Sequence, residues 1–101
     1  MADLDCVMPA ELNEKTERYE TLLAEALAEA TIAAPEGTPL RTGAEEYREM
    51  ARSYLTDGRH FRESGDSVNA LAAFAYGHAW LDAGARMGVF DVSTEDELFT
   101  M

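Results

Sequence analysis

The chain has 101 residues, enough for one small domain with a single core, and 20 Asp plus Glu against 8 Lys plus Arg give it a formal charge of −12. That sign disfavours phosphate backbones and anionic lipid, which are bound by displacing counterions with Lys and Arg, so neither nucleic acid nor a membrane surface is an expected partner. Cys6 is the only cysteine, which excludes an internal disulfide and a cysteine-rich zinc site, and the acids of MADLDCVMPAEL stand where a signal peptide has a basic region. A cytoplasmic protein is expected. Lys15 is the one lysine beside seven arginines, and many acids with little lysine and much alanine is the balance of a salt-rich cytoplasm. There, screening over a few ångströms removes self-repulsion while carboxylates keep the surface hydrated. An ordinary acidic domain at moderate salt is the plainer alternative.

The first helix is expected over about 9–33, opened by Pro9 at its first position and closed by Pro35 and Gly37. Leu12, Thr16, Tyr19, Leu23, Ala26, Leu27 and Ala30 repeat at threes and fours, with Glu14, Glu17, Arg18, Glu25 and Glu29 opposite, the pattern of a bundle member with a solvated back. APEGTPLRT then reads as a loop, and Thr42 with Glu45 has the form of a capping box, so a second helix is expected over about 43–64. Its apolar stripe is Tyr47, Met50, Ala51, Tyr54, Gly58 and Phe61, with Glu45, Glu49, Arg52, Arg59, His60 and Glu63 pointing away. Gly65 stops it and Asp66 caps a third helix over about 67–88, so short a connection that the two form an antiparallel hairpin.

Residues 65–88 carry two acids in 24 positions. Projected at about 100° per residue, Phe74, Leu81 and Ala85 fall in one sector and Ala73, Tyr76, Trp80 and Met87 roughly opposite, with a stripe of small residues, Ala70, Ala73, Gly77, Gly84 and Gly88, between them. A helix apolar nearly all round is expected to be buried nearly all round. A simple three-helix bundle does not supply that cover, so it is expected from the tail, through Val89, Phe90, Leu98 and Phe99 with Ser93 or Thr94 capping a last turn, or from a second chain meeting Ala73, Tyr76, Gly77, Trp80 and Gly84 near a two-fold axis. A membrane span fits poorly, because Asp82 and Arg86 interrupt the run.

His78, Asp82 and Arg86 stand four apart on the only polar edge of that helix. One reading is a small site in which Asp82 is base or anchor, Arg86 binds an anion and His78 moves a proton; the other is a helix-surface or buried ion pair of Asp82 with Arg86. Asp57, at the border of the second helix's stripe, could join them, or serve as a hydrogen-bond partner of Arg86 or the Tyr76 hydroxyl. Asp57, Asp82 and His78 lack the Glu-x-x-His spacing of carboxylate metal sites in bundles, and no phosphate loop, nucleophile elbow or zincin motif is present, so neither a metal nor a cofactor is expected. The aromatic residues Tyr19, Tyr47, Tyr54, Phe61, Phe74, Tyr76 and Trp80 read as core, and the arginines of the second helix and the loop before it, Arg41, Arg48, Arg52, Arg59 and Arg62, have Glu45, Glu49 and Glu63 among them.

The stretch from Tyr47 to Phe90 resembles an archaeal family known as domain of unknown function 357, through Tyr47, Met50-Ala51, Tyr54, Asp57, Phe61, Gly65-Asp66, Ala70, Phe74, Tyr76, Leu81-Asp82, Gly84 and Gly88. The resemblance implies an archaeal, here haloarchaeal, origin and a small up-and-down three-helix bundle, and implies no activity. His78 matches none of its recurring positions. The expectation is therefore one all-α domain over residues 1–101, an up-and-down antiparallel three-helix bundle with a short C-terminal extension. It is expected to act without catalysis as an interaction or oligomerisation module, a homodimer or a subunit of a complex. The alternative is a small hydrolase or ligand-binding bundle using Asp57, Asp82 and Arg86.

Overall fold

The computed structural model describes residues 2–91, with side chains over residues 11–91. Three helices run up, down and up: α1 (Ala2–Glu29), α2 (Pro39–Glu63) and α3 (Ser67–Met87). Two-residue strands β1 (Thr31–Ile32) and β2 (Phe90–Asp91) pair antiparallel, Thr31 with Asp91 and Ile32 with Phe90. The expected all-α bundle is the fold, and this small clasp is an addition to it.

α1 starts at Ala2, ahead of Pro9, which therefore lies inside the helix rather than at its first position, and proline has no backbone N–H to donate there. It stops at Glu29, short of the expected Ala33, because the β-branched pair Thr31 and Ile32 is drawn out into the clasp and the Ala33 N–H donates to the Val89 carbonyl at 2.8 Å. Its stripe is as expected: Thr16, Leu23, Ala26 and Ala30 are buried, and Glu14, Glu17, Arg18, Glu25 and Glu29 are exposed. Buried Thr16 donates back to the Leu12 carbonyl at 2.7 Å, and Asn13 Oδ1 accepts from the Ser67 hydroxyl at 2.9 Å, fastening the start of α3 to α1.

α2 begins one turn before the expected Thr42. Proline at the first helical position is pre-set for the helix and pushes the residue before it into extended geometry, so Thr38 (φ −106°, ψ 153°) is the N-cap and its Oγ1 accepts from Arg41 N at 3.2 Å. The buried side of α2 is Ala44, Ala51, Leu55 and Gly58, rotated from the expected stripe so that Met50 and Phe61 are exposed and Leu55 is inside. Gly65 (φ +82°) turns the chain and Asp66 Oδ1 caps α3 by accepting from Asn69 N at 3.1 Å. That backbone bond, with a second from the Asn69 amide, holds the Asp66 carboxyl below its ordinary range.

The core is Leu23, Phe74 and Leu81, fully buried among alanines (Ala26, Ala30, Ala44, Ala51, Ala70, Ala85) and closed at the clasp by Val89 and Phe90. Each large side chain contributes roughly 1.5–3 kcal/mol by leaving water. The expected cover from the tail is supplied by Val89 and Phe90; Ser93, Thr94, Leu98 and Phe99 lie outside the described residues. The glycines decide how closely the helices approach. A methyl on Gly58 would run into the Phe74 ring, one on Gly84 into the Phe90 ring, and one on Gly77 would stand 2.7 Å from Leu23 Cδ2 and 3.2 Å from the Ala51 carbonyl. α3 thus lies with glycine against its neighbours on one side. Among the described residues no helix is long and apolar enough to cross a membrane.

Gly58→Ala is expected to destabilise the chain, because overpacking costs roughly 1–3 kcal/mol against a helix-propensity gain of about 1 kcal/mol. Gly43→Ala, on the same helix with nothing within 4 Å of its added methyl, is expected to stabilise. Urea midpoints of the two variants compare the terms directly, and a gain in both would mean that Phe74 has room to yield.

Candidate functional site

Residues of α2 and α3 that face each other outside the core form a shallow open groove of about 350 Å³, lined by Tyr47, Tyr54, Tyr76, Ala79, Trp80 and Ala83. Tyr47 meets Trp80 edge-on, centroids 5.0 Å apart, and Tyr54 lies tilted over Tyr76 at 5.8 Å. The Tyr47 hydroxyl points to Met87 Sδ at 3.8 Å. The walls are ring faces and methyl groups, with polar atoms only where tyrosine and indole present their tips, so the groove suits an apolar side chain or a helix and has no acid paired with a base.

Beside the groove runs the solvent face of α3. Val68, Ala72, Ala75, Tyr76, Ala79, Ala83 and Met87 are all exposed, Val68 by 66%, Tyr76 by 63% and Met87 by 60%. Within the single chain α3 is therefore not buried all round: a bundle of three leaves each helix one outer face, and the face left bare here is mostly alanine. Phe74 and Leu81 are inside, but Tyr76 and Phe61, read as core, are outside. Of the residues expected at a contact between chains, Ala73, Gly77 and Gly84 are buried within the chain, Gly77 under Leu23 and Gly84 under Phe90, so the stripe of small residues serves the fold. Tyr76 is exposed and Trp80 half-buried, and both line the groove.

The polar candidates do not converge into one pocket. Arg86 Nε donates to Asp82 Oδ2 at 3.4 Å across one turn, with the Asp82 side chain 19% exposed, and His78, one turn before, is half-buried; all three are engaged in interactions. Trp80 packs on α2, and Asp82, two positions on, projects about 160° away from it round α3. Asp57 is exposed on α2, ten positions past Tyr47, the residue level with Trp80, which puts it about 18 Å along the bundle axis from Asp82. Among the described residues no three His, Cys, Asp or Glu side chains are grouped to hold a metal ion. His60 is exposed, 3.9 Å from Glu63.

One charged cluster escaped the sequence reading. Glu20 of α1 accepts from Arg59 Nε at 2.9 Å and from Arg62 Nη1 at 2.5 Å, one arginine on each carboxylate oxygen. Arg59 and Arg62, three apart at the end of α2, were legible as a pair, but which acid of α1 stands level with them depends on how the helices slide. Of the other arginines along α2, Arg41 donates to the Ala34 carbonyl at 3.3 Å, Arg52 pairs with Glu49 at 2.6 Å, and Arg48 Nε is buried without a hydrogen-bond partner among the described residues.

Residues 18–90 match the model of the family described as protein of unknown function (DUF357). The chain belongs to this family. The match runs from the middle of α1 to the clasp and so takes in the groove, the bare face of α3 and the Glu20 cluster. No curated protein and no solved structure matches the chain.

Burial alone would raise the Glu20 carboxyl's affinity for protons, but the hydrogen bonds and charges of Arg59 and Arg62 outweigh it and hold the group below its ordinary 4.5. A carboxyl with a lowered folded pKa adds stability that is complete above its unfolded value and fades as pH falls through the folded one. Glu20→Gln is therefore expected to lower stability at neutral pH by about 1 kcal/mol, with a difference from the parent that shrinks as pH is taken below 4.5. Urea unfolding across that range checks it; a difference independent of pH would mean that the carboxylate's charge does not hold α1 to α2.

Proposed function

We propose that this protein is a non-enzymatic interaction module of a salt-rich cytoplasm, and that its contact surface is the solvent face of α3 together with the aromatic groove beside it. The observation that carries the reading is that the exposed positions of α3, which are Val68, Asn69, Ala72, Ala75, Tyr76, Ala79, Ala83, Arg86 and Met87, include no carboxylate on a chain of net charge −12. Tyrosine and tryptophan present large rigid area with a polar tip, as contact surfaces use them, and a flat groove of this volume with no converging polar groups serves a macromolecule better than a small substrate. The hydrolase reading needs Asp57, Asp82 and Arg86 to meet, and the spacing of Asp57 from the other two gives it no support.

Ala79 and Ala83 are exposed positions in mid-helix, so Ala79→Glu and Ala83→Glu are expected to leave the unfolding midpoint within about 0.5 kcal/mol of the parent. The same variants are expected to lose whatever the parent retains when tagged and recovered from its native cytosol at native salt. Retention of the same partners by both variants would remove this face as the contact surface.

A further inference from the structure

We infer that residues 92–101 dock as a further segment on the outer side of α1, running back along it from the clasp, with Leu98 and Phe99 set against Arg18, Thr21 and Leu22. The clasp sets the direction. Thr31 pairs with Asp91 and Ile32 with Phe90, antiparallel, so the chain leaves β2 beside the end of α1 and heads back toward the middle of that helix. The Ala33 N–H, donating to the Val89 carbonyl at 2.8 Å, holds this exit in place.

An open hollow of about 640 Å³ lies along that course, lined among the described residues by Glu14, Glu17, Arg18, Thr21 and Leu22, all of α1. The surface of one helix is convex, so a hollow against it needs a second wall. Among the described residues α2 and α3 supply none, and residues 2–10 continue α1 itself. Residues 92–101 are the part of the chain left to form that wall.

Reach agrees with the place. In VSTEDELFTM, Thr94 is followed three residues later by Glu97, the form of a capping box, and Glu95 and Asp96 fall in the first turn, where carboxylates suit the helix dipole. Residues 92–94 in extended form cover about 10 Å, and the helical turn and a half from there to Phe99 covers about 7.5 Å. Together these equal about 11 residues of α1, which brings Phe99 level with Arg18 and Thr21, beside the hollow. On that short helix Leu98, Phe99 and Glu95 share one side, and Asp96, Glu97 and Thr100 the other. The apolar pair meets half-buried Leu22 and the stem of Arg18, Glu95 comes within about one turn of the Arg18 guanidinium, and the remaining acids stay in water. Burial of Leu98 and Phe99 drives the contact, because Lys15 and Arg18, the cations of α1, are outnumbered on its exposed side by Glu14, Glu17, Glu25 and Glu29. The hollow shares no lining residue with the aromatic groove, so this docking and the interaction reading stand or fall separately.

The test uses the full chain carrying a nitroxide on Thr100→Cys, in a Cys6→Ser background that removes the other thiol. Relative to the reduced label, the amide signals of residues 14–22 are expected to be lost to broadening, while those of Tyr47, Tyr54 and Ala79 keep their intensity. Adding Phe99→Asp is expected to restore the lost signals and to leave the shifts of the core residues Leu23, Phe74 and Leu81 unchanged. A label that leaves residues 14–22 sharp, or that broadens residues 72–83 of α3 in their stead, overturns the inference. So does a Phe99→Asp chain in which residues 14–22 stay broadened.

Discussion

The structure depends on the close approach of α3 to its neighbours through small residues. Phe74 lodges against Gly58, Leu23 and the Ala51 backbone against Gly77, and Phe90 against Gly84, and at each place a single methyl would collide. Because Ala70, Gly77 and Gly84 recur every seven residues, they set the rotation of α3 as well as its distance from α1 and α2. Turning α3 by one residue would bring side chains onto these lines. Its outer face is therefore decided by where its glycines are, and Ala72, Ala79 and Ala83 are what remains on the other side.

That geometry separates two roles that composition merges. Phe74 and Leu81 drive folding by leaving water, and they are fully buried. The alanines of the outer face bury nothing within the chain, and their methyl groups are small enough that hydration of the bare face costs little. Around these two surfaces the ends are fastened by other means: Ser67 to Asn13 at the start of α3, the two-residue clasp at its end, and Glu20 with Arg59 and Arg62 between α1 and α2. The last of these is the electrostatic link between the two helices that share fewer buried side chains.

The parts legible in the sequence are those decided by polarity along one segment. The α1 stripe, the Asp66 cap, the tight turn at Gly65 and the hairpin of α2 with α3 are of this kind. Those that were not legible depend on distances between segments. The α2 stripe was centred on Tyr54 because Met50 and Phe61 are hydrophobic, whereas the core takes Ala51, Leu55 and Gly58, since backbone approach selects small residues over oily ones. Thr38 displaced Thr42 as cap because Pro39 pre-sets the first turn, a local rule that outweighed the Thr42–Glu45 pattern. A clasp of two residues per strand is too short to show alternation, and Glu20 opposite Arg59 depends on register. Within the chain α3 is buried on one side only, because an alanine left in water exposes little apolar surface and some exposed apolar surface is ordinary for a folded chain.

Alanine is also the best helix former, so an alanine face by itself asks for no partner. Two comparisons within the chain weigh against that plain account. Glutamate is nearly as good in a helix interior, and the outer faces of α1 and α2 use it freely, at Glu14, Glu17, Glu25, Glu45, Glu49 and Glu63. Placing it on α3 as well would cost a few tenths of a kcal/mol in propensity and add hydration to a surface that elsewhere has it in abundance. Moreover the face is not only alanine. Tyr76, Val68 and Met87 are each more than half exposed, although Tyr76 also meets the Tyr54 ring and Met87 the Tyr47 hydroxyl. Large apolar side chains kept largely outside, on the helix whose one acid, Asp82, is mostly buried, are accounted for together by a contact that excludes charge, and by helix formation only in part.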